Sequence, residues 1–416
     1  MGMFVAIAFA LVAVNLTLAA DWPQFRGPNG NGVSPAADVP VRWSASEHVS
    51  WKRAIPGAGW SSPVLSRGKL YLTAAVADST DAVSLRAVCV DAGDGRIIWN
   101  VEVFQPDPSD AKQAHSKNSL ASPTPLVDDD ILYVHFGHMG TAALDLKGNI
   151  VWTQTELKYR PRHGAAGSPV LVNDLIVFSC DAEQDPFVAG LSRANGDVRW
   201  KTKRESSAIK KFSFTTPMVI GVEGAQQIIS PGSGFVGAYD PNDGQEIWRV
   251  NYGEGYSVVP RPVFAHGLVF VVSGFDQPTL LAIDPKGASG DVTESHVKWT
   301  HKKGVPLTPS VLVAGDELYF VSDSGVASCL DARTGKVHWS ERLGGNFSAS
   351  PVCAAGRVYF QSEEGVTHVV AASTSFQPLA TNDIEERTLA SAAVADNTLF
   401  LRSENHLWRI GRAKSP

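Results

Sequence analysis

Short apolar runs recur along the chain with a regular spacing. Lys69-Leu70-Tyr71-Leu72, Ile131-Leu132-Tyr133-Val134, Glu317-Leu318-Tyr319-Phe320 and Arg357-Val358-Tyr359-Phe360 are β-branched or aromatic and bounded by turn residues. Runs of that length and composition predict buried middle strands. Ahead of them stands a Ser/Thr-Pro step. Ser62-Pro63, Ser122-Pro123, Ser168-Pro169, Thr216-Pro217, Arg261-Pro262, Thr308-Pro309 and Ser350-Pro351 open seven units, and Ser391-Ala392 opens a degenerate eighth. Behind them six units close on a tryptophan: Trp99, Trp152, Trp200, Trp248, Trp299 and Trp339. In five of these a glycine lies four residues earlier (Gly95, Gly148, Gly196, Gly244, Gly335), whereas the fifth unit carries the insertion Lys286 to His296. The Asp-x-x-x-Gly turns, such as Asp91 to Gly95, supply a side-chain acceptor and then a residue that tolerates φ > 0.

A turn-plus-Trp signature repeated eight times fits an all-β, eight-bladed propeller of four-stranded antiparallel blades better than a sandwich. The 360 residues from Trp51 to Ile410 give 45 per unit, a normal blade length. The last unit has only three strands, while His48-Val49-Ser50-Trp51-Lys52 is an orphan outer strand with its own Trp. The N-terminal strand is therefore expected to complete the eighth blade beside Leu407-Trp408-Arg409, removing an open sheet edge. Trp51, Trp99, Trp152, Trp200, Trp248, Trp299 and Trp339 are the expected blade-docking residues. The organisation read this way is a signal peptide at 1–20, an N-terminal extension at 21–47, the propeller at 48–410 and a tail at 411–416. A chain starting at Ala54 is expected to lose several kcal/mol, and one starting at Gly30 much less, because the closing strand survives.

Composition narrows the function classes. The chain is 44% hydrophobic and 19% charged with 37 Gly and 25 Pro, so it folds and favours β-structure. Its net charge of −6 argues against nucleic acid, whose binding depends on phosphate neutralisation. Met3 to Ala20 is uncharged and apolar and ends on small residues, which predicts export to the periplasm or beyond and a mature start near Asp21. Membrane contact is expected only if that segment stays uncleaved. Cys89, Cys180, Cys329 and Cys353 lie in apolar β-like stretches and read as buried thiols; a Cys329–Cys353 disulfide is the alternative in an oxidising compartment.

The Asp-x-x-x-Gly-x-x-x-Trp units resemble the tryptophan-docked propellers of the quinoprotein (PQQ) superfamily, which includes quinone-dependent alcohol dehydrogenases and BamB-like assembly scaffolds. The start Asp21-Trp22-Pro23-Gln24-Phe25-Arg26-Gly27-Pro28 and the segment His115 to Pro123 look like exported PQQ-like repeat proteins of planctomycete-type bacteria. The resemblance spans about Trp51 to Ile410. This chain lacks the adjacent Cys-Cys pair, the long lid insertions and the lipid-accepting Cys of those relatives.

Long connections fall on one face of the ring, including Phe104 to Ala121, Leu157 to Gly167, Lys201 to Phe214 and Asn251 to Pro260, and such loops usually carry binding groups. Trp60, His115, Asn118, His163, Phe212, Tyr256, Arg261 and Asn346 are the candidates for a central funnel, a set suited to a polar planar ligand. The plainer reading is funnel packing. His135 and His138 join His115 and His163 without a spacing that defines a metal site, and no catalytic residue is assigned. Asp181 to Asp185 reads as a solvated turn, and Arg199, Lys201, Lys203, Arg204, Lys210 and Lys211 as a solvated basic face. The leading expectation is an exported, non-catalytic binding or scaffold propeller that takes a protein or a small polar ligand on the long-loop face. The alternative is a PQQ-dependent oxidoreductase with the quinone and Ca²⁺ in the funnel.

Overall fold

The computed structural model describes residues 21–411 apart from 78–81, 111–113 and 277, so the apolar run at 1–20 lies outside the described residues. Eight antiparallel sheets follow one another along the chain. Their innermost strands are Val64–Ser66, Leu126–Asp128, Val170–Val172, Met218–Val222, Val263–Ala265, Leu312–Ala314, Val352–Ala354 and Ala393–Ala395, taken as blades 1 to 8. The innermost strand of blade 8 packs against that of blade 1, which closes the ring.

Closure uses the N-terminal strand. Val49–Ala54 lies antiparallel to His406–Ile410, with Trp51 opposite Arg409, Lys52 opposite Trp408 and Arg53 opposite Leu407. Lys52 also reaches Glu386 at 3.2 Å. Glu386, in the connection from blade 7 to blade 8, accepts from His406 Nδ1 at 2.8 Å as well, which ties the closing strand to that connection and to blade 8. Hydrogen bonds from His406, the Asn405 amide, Ser403 and Lys52 hold the Glu386 carboxyl down at about 2, against the opposing effect of burial.

The tryptophans lock each blade to the next. Trp51 Nε1 donates to Ala92 O at 3.2 Å, Trp99 to Leu146 O at 3.2 Å and Trp152 to Arg193 O at 3.0 Å. Trp200 reaches Pro241 O at 3.0 Å, Trp299 reaches Ala332 O at 3.2 Å and Trp339 reaches Ser373 O at 3.0 Å. In each case the acceptor sits in the turn before the outer strand of the following blade. The turn glycine has a second task there: a Cβ on Gly244 would stand 2.4 Å from the Trp200 ring, and its φ is +74°.

Trp248 departs from the scheme because of the insertion. Gly290–Asp291 adds a fifth, parallel strand to blade 4, placing Gly290 beside Trp248. Trp248 becomes fully buried and donates inward to Gln227 Oε1 at 2.9 Å. Blade 7 departs too, since Ala380 occupies the outer-strand position facing Val369. Blade 8 takes its outer strand from the far end of the chain, so it has no continuous turn on which a blade 7 Trp would dock. Trp43 fills the seam, stacking on Tyr359 at 6.3 Å, with its amide bonded to Asn382 Oδ1 at 2.9 Å.

Residues 22–34, within the expected N-terminal extension, pack against the ring. Trp22 exchanges two backbone hydrogen bonds with Leu65 of blade 1, at 2.8 and 3.0 Å. Pro23 O accepts from Val127 of blade 2, Gly32 O accepts from Cys353 of blade 7, and Ser34 Oγ donates to Val394 O of blade 8. The segment is a strap across the end of the channel opposite the long loops. It buries Trp22 and Arg26, each 1% exposed.

Other expectations also change. The hydroxyls that enter the central ring in blades 2 and 6 are Thr124 and Ser310, two residues beyond Ser122 and Thr308. Asp181 and Arg204 are not solvated: both are buried, and Arg204 Nη1 lies 2.9 and 3.0 Å from the two Asp181 oxygens. All four cysteines are buried free thiols. Burial pushes Cys353 up to about 11 and Cys89 up to about 12, so they are inert packing groups.

Candidate binding funnel

The inner rim of the ring is built from the residues at the Ser/Thr-Pro steps. The backbone N–H of Ser62 donates to Thr124 Oγ1 at 3.0 Å, Thr124 to Ser168 Oγ at 2.9 Å, and Ser168 to Thr216 Oγ1 at 2.9 Å. The series resumes from Arg261 to Ser310 Oγ at 2.9 Å, Ser310 to Ser350 Oγ at 3.0 Å and Ser350 to Ser391 Oγ at 2.9 Å. Each hydroxyl thus satisfies an amide that the converging inner strands would otherwise leave unpaired. Blade 5 interrupts the hydroxyl ring with Arg261.

Above this ring lies a cavity of about 350 Å³, within the range of small-molecule sites. It opens among the long loops and is floored by Phe25 of the strap, so the funnel is blind. Six of the eight candidates, Trp60, His115, Asn118, His163, Phe212 and Tyr256, line it. The other two candidates sit elsewhere. Arg261 lies beneath the floor, donating to Pro217 O at 3.1 Å and Phe25 O at 2.6 Å. Asn346 is on the outer rim, where its Nδ2 reaches Glu364 Oε1 at 2.9 Å.

Side chains outside the eight candidates complete the walls: Phe25, Phe214, Phe275, Lys117 and the ring hydroxyls. The hydroxyls carried a signal in the repeated Ser/Thr-Pro step, which looked like strand punctuation alone. Phe25 belongs to the family-like start of the chain, but no local pattern reveals that this segment will cross the channel.

The funnel is lopsided. On the side of blades 2 to 5 the rings form a chain: His115 to His163 at 5.3 Å, His163 to Phe212 at 5.4 Å, Phe212 to Tyr256 at 5.4 Å and Tyr256 to Phe275 at 5.9 Å. Cations lie over this wall, Arg162 over Phe212 at 5.4 Å and Lys210 over Tyr256 at 4.0 Å. Blades 6 to 8 contribute small residues instead, including Ser348, Ala390 and Ser391. Burial, then the neighbouring His115 and Arg162, lowers the His163 pKa, which favours its neutral form. Asn118 Nδ2 donates to His163 O at 2.8 Å and so fixes that loop. Across the mouth, Lys117 Nζ meets Glu363 Oε1 at 2.7 Å and Arg387 Nη2 meets Ser116 O at 3.3 Å.

His135 is outside the funnel, buried with Nδ1 2.8 Å from Thr141 Oγ1, and burial pulls it down to about 3. Among the described residues no group of three His, Cys, Asp or Glu side chains is placed to share a metal ion. Calcium demands several oxygen ligands, normally with carboxylates among them. The funnel lining offers hydroxyls, imidazoles, an amide and an ammonium, but no Asp or Glu and no cysteine. These residues do not fit a calcium-bound quinone.

Three solved structures share the architecture. BamB from Moraxella catarrhalis aligns at a TM-score of 0.61 and 13% identity, over 88% of this chain and 98% of its own. A europium-containing methanol dehydrogenase aligns at 0.66 and 10% identity, over 93% and 90%. Quinohemoprotein alcohol dehydrogenase ADHIIG from Pseudomonas putida HK5 aligns at 0.66 and 11%, over 95% and 81%. At such identities the likeness is one of fold. No curated protein sequence matches the chain. A family model described as outer membrane protein assembly factor BamB matches residues 41–221, 232–293 and 289–407. With most of the ring matched, the chain belongs to this BamB-type family of PQQ-like repeat propellers.

Proposed function

We propose that this protein is an exported, non-catalytic binding propeller that presents its long-loop face, with the blind funnel at its centre, to a protein partner. The observation that carries the reading is the funnel itself: an aromatic and hydroxyl-lined cavity of about 350 Å³ with no carboxylate in its walls. Such a lining stacks and hydrogen-bonds a guest but supplies neither a carboxylate base nor a calcium ligand set. Next to the mouth stands Ile209, 86% exposed, followed by Lys210. The Ile209 amide donates to Glu254 Oε2 at 2.9 Å, and a large exposed apolar side chain among charged neighbours of both signs suits an interface anchor with a polar rim. The family's assembly-factor description supports the same reading, as does the apolar run at 1–20 for an extracytoplasmic location. The second reading, a quinone-dependent oxidoreductase, draws support from the 0.66 similarities to two dehydrogenases.

The test compares the full chain with an Ile209→Asp, Lys210→Glu variant on beads exposed to the same cell-envelope extract. Both positions are exposed, so folding is expected to be unchanged. A partner retained by the parent chain should be recovered about tenfold less by the variant, equivalent to about 1.4 kcal/mol. Equal recoveries would place binding away from the long-loop face.

A further inference from the structure

The funnel has one opening. Phe25 of the strap closes its lower end, so a polypeptide reaches the floor by a terminus or a single side chain and cannot thread through. What it meets there is set by the hydroxyl ring. Thr124, Ser168 and Thr216, on three successive blades, line the cavity, and none is more than 4% exposed. Their oxygens already accept the backbone N–H groups of Ser62, Thr124 and Ser168 at 3.0, 2.9 and 2.9 Å. Their O–H protons meet no protein acceptor among the described residues, so what this arc has left to offer a guest is chiefly donors.

The rest of the lining agrees in sign. Asn118 spends its Nδ2 on His163 O at 2.8 Å and its Oδ1 on the Ser119 N–H at 2.8 Å. No Asp or Glu lines the cavity. A chain's terminal ammonium would find no counter-charge here, whereas a terminal carboxylate would accept from the hydroxyl arc. Lys210, 4.0 Å from the Tyr256 ring, adds positive potential beside the mouth, while Lys117 and Arg162 are offset by Glu363 and Glu183.

The wall over the arc selects the side chain. His163 meets Phe212 at an interplanar angle of 81°, and Phe212 meets Tyr256 at 67°. A further aromatic ring extends such an edge-to-face series. On the opposite side Ser348 and Ala390 are small and leave space for the guest's backbone.

We infer that the funnel captures the C-terminal residue of the partner chain, an aromatic residue whose free carboxylate accepts from Thr124, Ser168 and Thr216 and whose ring lies against Phe212 and Tyr256, an inference that rests on the protein-partner reading. Recognition of a chain end by its carboxylate and one anchored side chain needs no long interface on the partner.

Isothermal titration of the full chain with N-acetyl-Gly-Gly-Phe, its C-terminal amide, N-acetyl-Gly-Gly-Ala and 3-phenylpropionate tests the inference. The Phe peptide acid should bind at least about tenfold more tightly than its amide or the Ala peptide, and more tightly than 3-phenylpropionate. Ala166 lines the cavity, so Ala166→Trp should fill it and abolish binding. Equal affinity for acid and amide, no binding of the Phe peptide, or binding that survives Ala166→Trp overturns the inference. A 3-phenylpropionate affinity equal to the peptide's overturns it in favour of a free aromatic acid. Should Ala166→Trp fail to fold, the ligand series on the parent chain decides alone. Failure of the partner reading is scored separately, by capture with the Ile209→Asp, Lys210→Glu variant. A partner captured by the parent chain, with no peptide binding, removes the funnel occupant and leaves that reading standing.

Discussion

A chain that begins at Ala54 is expected to lose cooperative folding. The cut removes the strand paired with His406–Ile410 and leaves blade 8 with three strands and an open edge. It also removes Trp51, whose indole lies against Gly95, together with Trp43 at the blade 7 seam and Trp22 in the strap. Large-to-small changes at buried aromatic sites cost about 3–5 kcal/mol each. Three such losses approach or exceed a whole stability of about 5–15 kcal/mol. Soluble yield and the far-ultraviolet melting curve measure the outcome. A chain beginning at Gly30 keeps the closing strand but loses Trp22 and Arg26, so it should fold with a Tm lowered by several degrees. The sequence alone ranked that cut well below the one at Ala54, and the buried strap is what gives it a cost of its own.

Asp181→Ala is expected to be the most damaging single substitution outside the docking tryptophans. Arg204 reaches both Asp181 oxygens and Ser230 O, and its guanidinium lies 5.2 Å from the Phe235 ring, so it has no route to water. Removing one partner of a buried ion pair costs about 3–5 kcal/mol, because the remaining charge stays desolvated. The denaturant midpoint should fall accordingly. Asp181→Leu combined with Arg204→Met should recover much of that loss, since the double change leaves no orphan charge. A double variant as weak as the single one would show that the pair is needed for geometry rather than for neutralisation.

The propeller was legible in the sequence because each blade spells the same mechanical parts. Gly244 is a glycine both for its positive φ and for its closeness to Trp200, and a requirement set by local geometry repeats visibly. Trp51 could be matched to its missing blade for the same reason. Trp43 could not, because it replaces a docking residue from 337 positions away in sequence, counting to Ala380, and belongs to no repeat. Asp181 and Arg204 looked like surface charges because strand and loop composition around them is polar, while their burial depends on the packing of two neighbouring blades. Six of the candidates line the cavity because they precede the inner strands at the converging end of the ring. Arg261 precedes its strand too, yet an inner-ring position has two ends to point toward, and the strap offered this guanidinium carbonyl acceptors below the floor.

Under the proposed function the funnel is a binding cavity without quinone chemistry. Titration of the full chain with PQQ and Ca²⁺ tests it most directly, following the quinone absorbance, the Tm and the oxidation of a primary alcohol with an artificial electron acceptor. A lining with no carboxylate and no cysteine predicts no Ca²⁺-dependent spectral change, an unchanged Tm and no turnover. A calcium-dependent shift of the quinone spectrum accompanied by alcohol oxidation would contradict it and make the protein an oxidoreductase.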